Sequence, residues 1–130
     1  MKNIMFLFVA ATLLTACQES LEERAAREAR ELTEDKCPMP IGNNMMLDSI
    51  VFDIPTLTQS QYFRFTGDND NDSVVFALQD AKSLLVSELK SMPSYKPLMN
   101  KGVSFRYVYR SNKNPEKTYL EMTITKEDYR

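Results

Sequence analysis

The sequence predicts one small α+β domain with the element order α-β-β-α-β-β. Apolar residues recur at helical spacing over 73–92, whereas they alternate with polar residues in four shorter stretches. Strands that follow one another in pairs favour hairpins, and therefore a four-stranded antiparallel sheet. Such a sheet must bury one face, and the long helix is the predicted cover. A chain of 130 residues has room for one core.

The first sixteen residues have the features of a cleaved signal peptide. Lys2 gives a positive start, and residues 4–14 form an apolar run. The run is shorter than the roughly 20 residues that a transmembrane helix needs. The predicted organisation is a signal peptide over 1–16, a lipidated N-terminus with a charged helix over 17–36, and an α+β domain over 37–130.

Leu14-Thr15-Ala16-Cys17 resembles the lipobox of bacterial lipoproteins. The resemblance implies acyl chains on Cys17, and two or more such chains give stable membrane attachment. Gln18 follows the cysteine where an Asp would signal inner-membrane retention, so the resemblance favours the outer membrane. The alternative is an ordinary secreted protein with a chance cysteine at this position.

The first predicted helix extends from Ser20 to about Lys36. Ser20 and Glu23 fit the capping-box pattern, and opposite charges four residues apart support the helix. Its apolar stripe is narrow, so the helix is either a charged stalk or docked on the domain. Docking is slightly favoured because Leu21 and Leu32 lie on the same side.

Four segments have the alternation of strands. They are 47–54, 61–66, 103–110 and 118–125. Pro38 and Pro40 end the first helix, and a Gly-Asn-Asn loop follows. On the predicted open face, Arg106 and Glu121 form a cross-strand pair.

The composition argues against most enzyme classes. The chain has no histidine, which removes Ser-His-Asp and Cys-His catalysis, and its three glycines form no phosphate-binding loop. We predict no enzyme and no cofactor; a carboxylate- or thiol-dependent enzyme is the remaining catalytic alternative. The net charge of −2 gives no basic footprint for a nucleic-acid partner.

Asp68, Asp70 and Asp72 have the alternate spacing that begins a calcium-binding loop. Ser73 stands where such a loop needs glycine, and Gln79 stands where it needs a bidentate glutamate. The favoured interpretation is a polar turn that caps the following helix, with a weak calcium site as the alternative.

Cys37 is the second candidate. Lipidation of Cys17 would leave it as the remaining thiol, without an intramolecular partner. Burial is the favoured interpretation. The alternative is a reactive thiol or an intermolecular disulfide, since Lys36 lies beside it in sequence and a nearby cation lowers a thiol pKa.

The predicted binding face combines two groups of side chains. Arg64, Arg106 and Arg110 could form a basic patch on the open sheet face. Tyr107 and Tyr109 belong to an aromatic row at strand spacing that could be a binding platform, although core packing is the favoured interpretation of that row.

Several short motifs resemble a group of small Gram-negative envelope proteins of uncharacterised function. The matching segments are Cys37-Pro38-Met39, Leu47-Asp48-Ser49, Tyr62-Phe63, 102–109 and 123–129. The resemblance implies one envelope domain and no particular mechanism.

These observations predict a lipid-anchored envelope protein that acts as a non-catalytic binding module for an envelope protein or a glycan. The alternative is an envelope inhibitor, an immunity protein or an assembly-accessory lipoprotein of the pilot type. The oligomeric state is left open.

Overall fold

The computed structural model describes residues 19–130, so the predicted signal peptide and Cys17 lie outside the described residues. The helices of this part are α1 (Leu21–Lys36), α2 (Val74–Ala77), α3 (Ala81–Ser91), α4 (Lys96–Asn100) and α5 (Lys126–Tyr129). The strands are β1 (Met39–Pro40), β2 (Met45–Asp53), β3 (Thr58–Phe65), β4 (Ser104–Ser111) and β5 (Thr118–Ile124). Within 19–130, no helix is long and apolar enough to cross a membrane.

The strands form one mixed five-stranded sheet in chain order. β3 and β4 are parallel, and the other neighbours are antiparallel. The prediction of four antiparallel strands was therefore wrong, although the α+β class agrees with the structure. The helices between β3 and β4 return the chain to the end where β3 began, which makes a parallel pair. The added strand, β1, is too short to show alternation.

The prediction of one continuous helix over 73–92 was also wrong. The segment is divided into α2 and α3 by a turn, with Asp80 at the start of the second helix. Acidic residues favour a helix start, since they complement the positive end of the dipole. Leu84, one of the apolar residues in the predicted helix over 73–92, is 69% exposed. The long helix therefore does not cover the sheet alone.

Helix α1 is docked on the sheet and shares the cover. Ser20 caps it, because its Oγ accepts a hydrogen bond from the Glu23 amide at 3.1 Å. Ala25 and Ala29 are buried in the core. Thr33 Oγ1 donates to the Ile50 carbonyl at 3.0 Å and accepts from the Ile50 amide at 2.9 Å. The hydroxyl thus satisfies backbone groups along the edge of β2 that β1 does not reach.

A β-bulge keeps the apolar side chains of β2 on one face. The register shifts between Leu47 and Ser49, which leaves Asp48 as the extra residue. Leu47 and Phe52 are five positions apart, and they lie on the same face because of this shift. This face, which we call the inner face, contacts the helices.

The deepest part of the core lies where β4 and β5 meet the C-terminal helix. Phe105 and Ile124 are paired across the strands, and both are fully buried. The residues after β5 form α5, which begins with a Thr125–Asp128 capping box. Tyr129 of α5 is buried against Phe105, and its hydroxyl donates to the Val103 carbonyl at 2.8 Å.

We expect Thr33→Val to destabilise the protein by about 1–3 kcal/mol, because it leaves the half-buried Ile50 amide and carbonyl without partners. Thr33→Ser keeps the hydroxyl and is the matched control. Urea unfolding measures both. Equal stability of the valine variant and the wild type would contradict the role of Thr33 at this edge.

Candidate functional site

The inner face is only partly covered, and a groove of about 440 Å³ crosses it beside α3. Strands β2, β3 and β4 form its floor, and α3 with the turn after it forms a wall. The apolar and aromatic lining residues are Ile41, Met45, Phe63, Leu85, Leu89, Met92, Tyr95, Tyr107 and Tyr109. The polar lining residues are Gln61 and Glu88. We call this feature the tyrosine groove.

Aromatic rings make the floor of the tyrosine groove flat and rigid. Phe63 stacks on Tyr109 with 5.0 Å between ring centroids, and it stacks on Tyr107 at 6.4 Å. The ring planes differ by 13° in each pair. Burial raises the pKa of both tyrosines, so their hydroxyls remain protonated donors at physiological pH.

A second groove of about 370 Å³ lies beside α1 and meets the first at Tyr95. Its floor includes Ile50 and Gln59. Gln59 and Gln61 share the inner face with Phe63, and both are half-buried. Sequence reasoning missed the grooves, although two glutamines in line with Phe63 and Phe65 were a usable signal. Polar residues at inward positions mark a part of the face that no helix covers.

The five residues of the predicted binding face lie on opposite sides of the sheet. Arg64, Arg106 and Arg110 are on the outer face, with Arg64 and Arg110 in register on β3 and β4. Tyr107 and Tyr109 are on the inner face, where they are 4% and 7% exposed. The structure therefore does not combine the two groups into one surface.

Most of the outer-face charge is neutralised within the chain. The predicted Arg106–Glu121 pair is confirmed, with 2.7 Å between Nε and Oε1, and Arg64 Nε lies 2.9 Å from an Asp48 oxygen. Arg106 and Arg110 both lie over the Tyr62 ring, 5.5 and 5.4 Å from its centroid. Exposed ion pairs of this kind contribute up to about 1 kcal/mol each. The outer face is thus an internally paired surface.

The three aspartates of the predicted calcium or capping loop do not act together: Asp68 is exposed, whereas Asp70 and Asp72 contact other parts of the chain. Asp70 is 5% exposed and accepts hydrogen bonds from Ser111 Oγ, Tyr119 Oη and the Lys113 amide, at 2.5, 2.7 and 2.8 Å. Asp72 pairs with Lys117. Within residues 19–130, no three acidic, histidine or cysteine side chains are grouped to hold a metal ion.

The capping interpretation was wrong. Ser73 is the N-cap of α2 and makes no side-chain hydrogen bond to the helix. Asp70 instead attaches its loop to the β4–β5 hairpin. The hydrogen bond from Ser111, followed by that from Tyr119, lowers the pKa of Asp70 from 3.8 to about 2.

We expect Asp70→Asn to lower the melting temperature by several degrees at pH 7. A depressed pKa stabilises the fold above the unfolded-state pKa, and that contribution is lost as the pH falls from about 4 to about 2. The difference between wild type and variant should therefore shrink over this range in thermal unfolding experiments. Asp68→Asn, at an exposed position, is the control. A difference that does not change with pH would contradict the assignment.

Cys37 is half-buried and packs at the edge of the core. Burial, and then the nearby Asp48 carboxylate, raise the pKa of its thiol. The cation effect expected from Lys36 does not dominate, and the reactive thiolate of the alternative interpretation is disfavoured at neutral pH.

We expect the alkylation rate of Cys37 by iodoacetamide to rise with pH with a midpoint above 9.0, the ordinary value for a thiol. The urea-unfolded protein is the control and should show the ordinary midpoint. Fast alkylation of the folded protein at pH 7 would contradict this prediction.

Comparison with known proteins identifies one family and several solved structures with the same fold. Residues 20–120 match the model of the family described as Domain of unknown function (DUF8479). No curated protein matches the chain. A Pseudomonas aeruginosa protein described as secreted, PA3611, has the same fold, with a TM-score of 0.63 and 12% identity. The match covers 85% of this chain and 98% of that one.

Two further solved structures with this fold are pilotins of type II secretion systems. EpsS from Vibrio vulnificus gives a TM-score of 0.57 and 14% identity, over 85% of this chain and 92% of its own. AspS from Vibrio cholerae gives 0.56 and 17%, over 88% and 97%. At these identities the likeness is one of fold.

Proposed function

The chain belongs to the DUF8479 family, and from that premise we propose that it is a pilot-type accessory lipoprotein of the bacterial envelope that binds a component of a secretion system. The tyrosine groove is the observation that carries the proposal. It is a preformed apolar recess on a rigid sheet, and such recesses are where proteins bind their ligands. This proposal is the alternative that the sequence analysis gave, an assembly-accessory lipoprotein of the pilot type, and the structural neighbours support it better than the main prediction of a general binding module.

The fold supports this choice of partner. Two pilotins share the fold over more than nine-tenths of their own length. The chain has no histidine, and its outer-face arginines Arg64 and Arg106 are engaged in internal ion pairs. A non-catalytic protein that acts through its inner face fits these features.

Membrane attachment is part of the proposal. The lipobox-like Leu14-Thr15-Ala16-Cys17 would provide acyl chains, and Gln18 favours the outer membrane. The anchor would keep the domain beside its partner in the envelope. Labelling of the wild type, but not of Cys17→Ala, with radioactive palmitate tests this step.

We expect deletion of the gene to reduce export through the type II secretion system of the host. Leu85→Gln should reproduce much of this loss, because it places an amide in the wall of the tyrosine groove. Leu84→Gln changes the neighbouring residue on the exposed side of the same helix and should retain export. The measurement is the amount of exported protein in the medium.

Circular dichroism of both variants establishes that they remain folded. Normal export in the deletion strain would contradict the proposed function. Equal export by the two leucine variants would contradict the assignment of the groove as the site.

A further inference from the structure

The tyrosine groove contains two tyrosine hydroxyls, those of Tyr107 and Tyr109, that make no hydrogen bond to another residue of 19–130. Both residues are buried, with 4% and 7% of their surface exposed, whereas the hydroxyl oxygens themselves remain accessible from the groove. An occupant that displaces water from these hydroxyls must supply acceptors, since an unmade hydrogen bond has a free-energy cost.

Three of the other four tyrosines are hydrogen-bonded within the chain. The hydroxyl of Tyr129 donates to the Val103 carbonyl, that of Tyr119 donates to Asp70, and that of Tyr62 accepts from Arg106 at 2.8 Å. Tyr107 and Tyr109 differ from these three tyrosines. Their hydroxyls lie in a recess with space for an external acceptor.

Glu88 gives the tyrosine groove a charge preference. It is the charged residue of the lining and lies on the wall that α3 provides. It forms no ion pair with any residue in the described part of the chain. Glu88 is exposed in the free protein, and an apolar occupant of the groove would remove part of its water, which favours a cationic partner.

We propose that the occupant of the tyrosine groove is an apolar peptide segment of a partner protein that carries one lysine or arginine. The cation lies against Glu88, and carbonyl oxygens of the segment accept hydrogen bonds from Tyr107 and Tyr109. The inference rests on the proposed function, because it describes how the accessory protein holds its partner.

A fatty acyl chain or a second copy of the chain would also fill apolar space. An acyl chain has no cation for Glu88. The peptide is favoured because one segment supplies all three chemistries: apolar side chains, carbonyl acceptors and a positive charge. The groove volume of about 440 Å³ lies in the range of ordinary ligand pockets.

Photo-crosslinking of the full-length protein in native membranes tests the occupant. p-Benzoylphenylalanine replaces Met92, which lies at the rim and is 41% exposed. The matched control carries it at Leu84, which lies on α3 outside the groove, whereas Met92 directly follows the end of that helix. We expect the Met92 adduct to lie on an apolar partner peptide with a lysine or arginine, and the Leu84 position to give no such adduct. An adduct on lipid, an adduct on a second copy, or no adduct overturns the proposal.

Charge exchange tests the role of Glu88. Glu88→Lys should lower the adduct yield at least ten-fold, whereas Glu116→Lys, an equal charge change in the exposed β4–β5 turn, should not. Replacing the basic residue of the crosslinked peptide by glutamate should restore the yield in the Glu88→Lys background. Failure of this rescue overturns the assigned pairing.

The hydroxyls are tested by Tyr107→Phe and Tyr109→Phe. Each should leave the thermal stability of the free protein unchanged or higher, since no internal hydrogen bond is lost. Each should lower the adduct yield about three- to ten-fold, the equivalent of one hydrogen bond. A loss of stability with unchanged yield would show that the hydroxyls serve the fold, and would overturn their role in binding.

The outcomes separate this inference from the proposed function. A third probe at Arg110 reports on the outer face. A secretion-system partner that crosslinks only through this probe would preserve the function and overturn the groove assignment. A basic apolar peptide from a protein outside any secretion system would preserve the chemistry of the occupant and contradict the function.

Discussion

The parallel pairing of β3 with β4 is the constraint on which the rest of the structure depends. A parallel pair requires a long connection, and here that connection contains α2, α3 and α4. α3 therefore covers the β4 side of the inner face, while α1 is docked at the β2 side through Thr33. The centre of the face, along β3, is left between the two helices. The grooves are thus a direct result of the topology.

The two faces of the sheet differ in how completely their polar groups are satisfied. On the outer face, Arg64 and Arg106 have carboxylate partners, and Tyr62 lies beneath two guanidinium groups. On the inner face, the hydroxyls of Tyr107 and Tyr109 lack partners in the described part of the chain. Polar groups that already have internal partners contribute little free energy to the binding of a ligand. The inner face, whose hydroxyls lack internal partners, can form additional hydrogen bonds with one.

The local sequence pattern predicted the position of most helices and strands, but it did not predict how the strands are arranged in the sheet. Alternation placed Phe105 and Arg106 on opposite faces of β4, and the capping pattern located the start of α1 at Ser20, as the structure shows. The parallel pair depends on where a long connection returns, which no short window contains. The partners of Asp70 lie more than forty residues away, so its spacing suggested a metal or a cap. The sequence contains one weak local indication of the groove, the polar residue Gln61 at an inward-facing position of β3.

If Cys17 carries the proposed lipid, the docked position of α1 limits how far the domain can move from the membrane. With α1 held by Thr33 and capped at Ser20, a lipid on Cys17 would be joined to the folded body by three residues, a reach of roughly 10 Å. The helix then cannot act as an extended spacer. The domain would rest close to the lipid headgroups, and only partner segments at that height could enter the groove. The anchored domain and its partner would then meet by diffusion in the plane of the membrane, where each is at a high local concentration for the other. This favours a partner embedded in the same membrane.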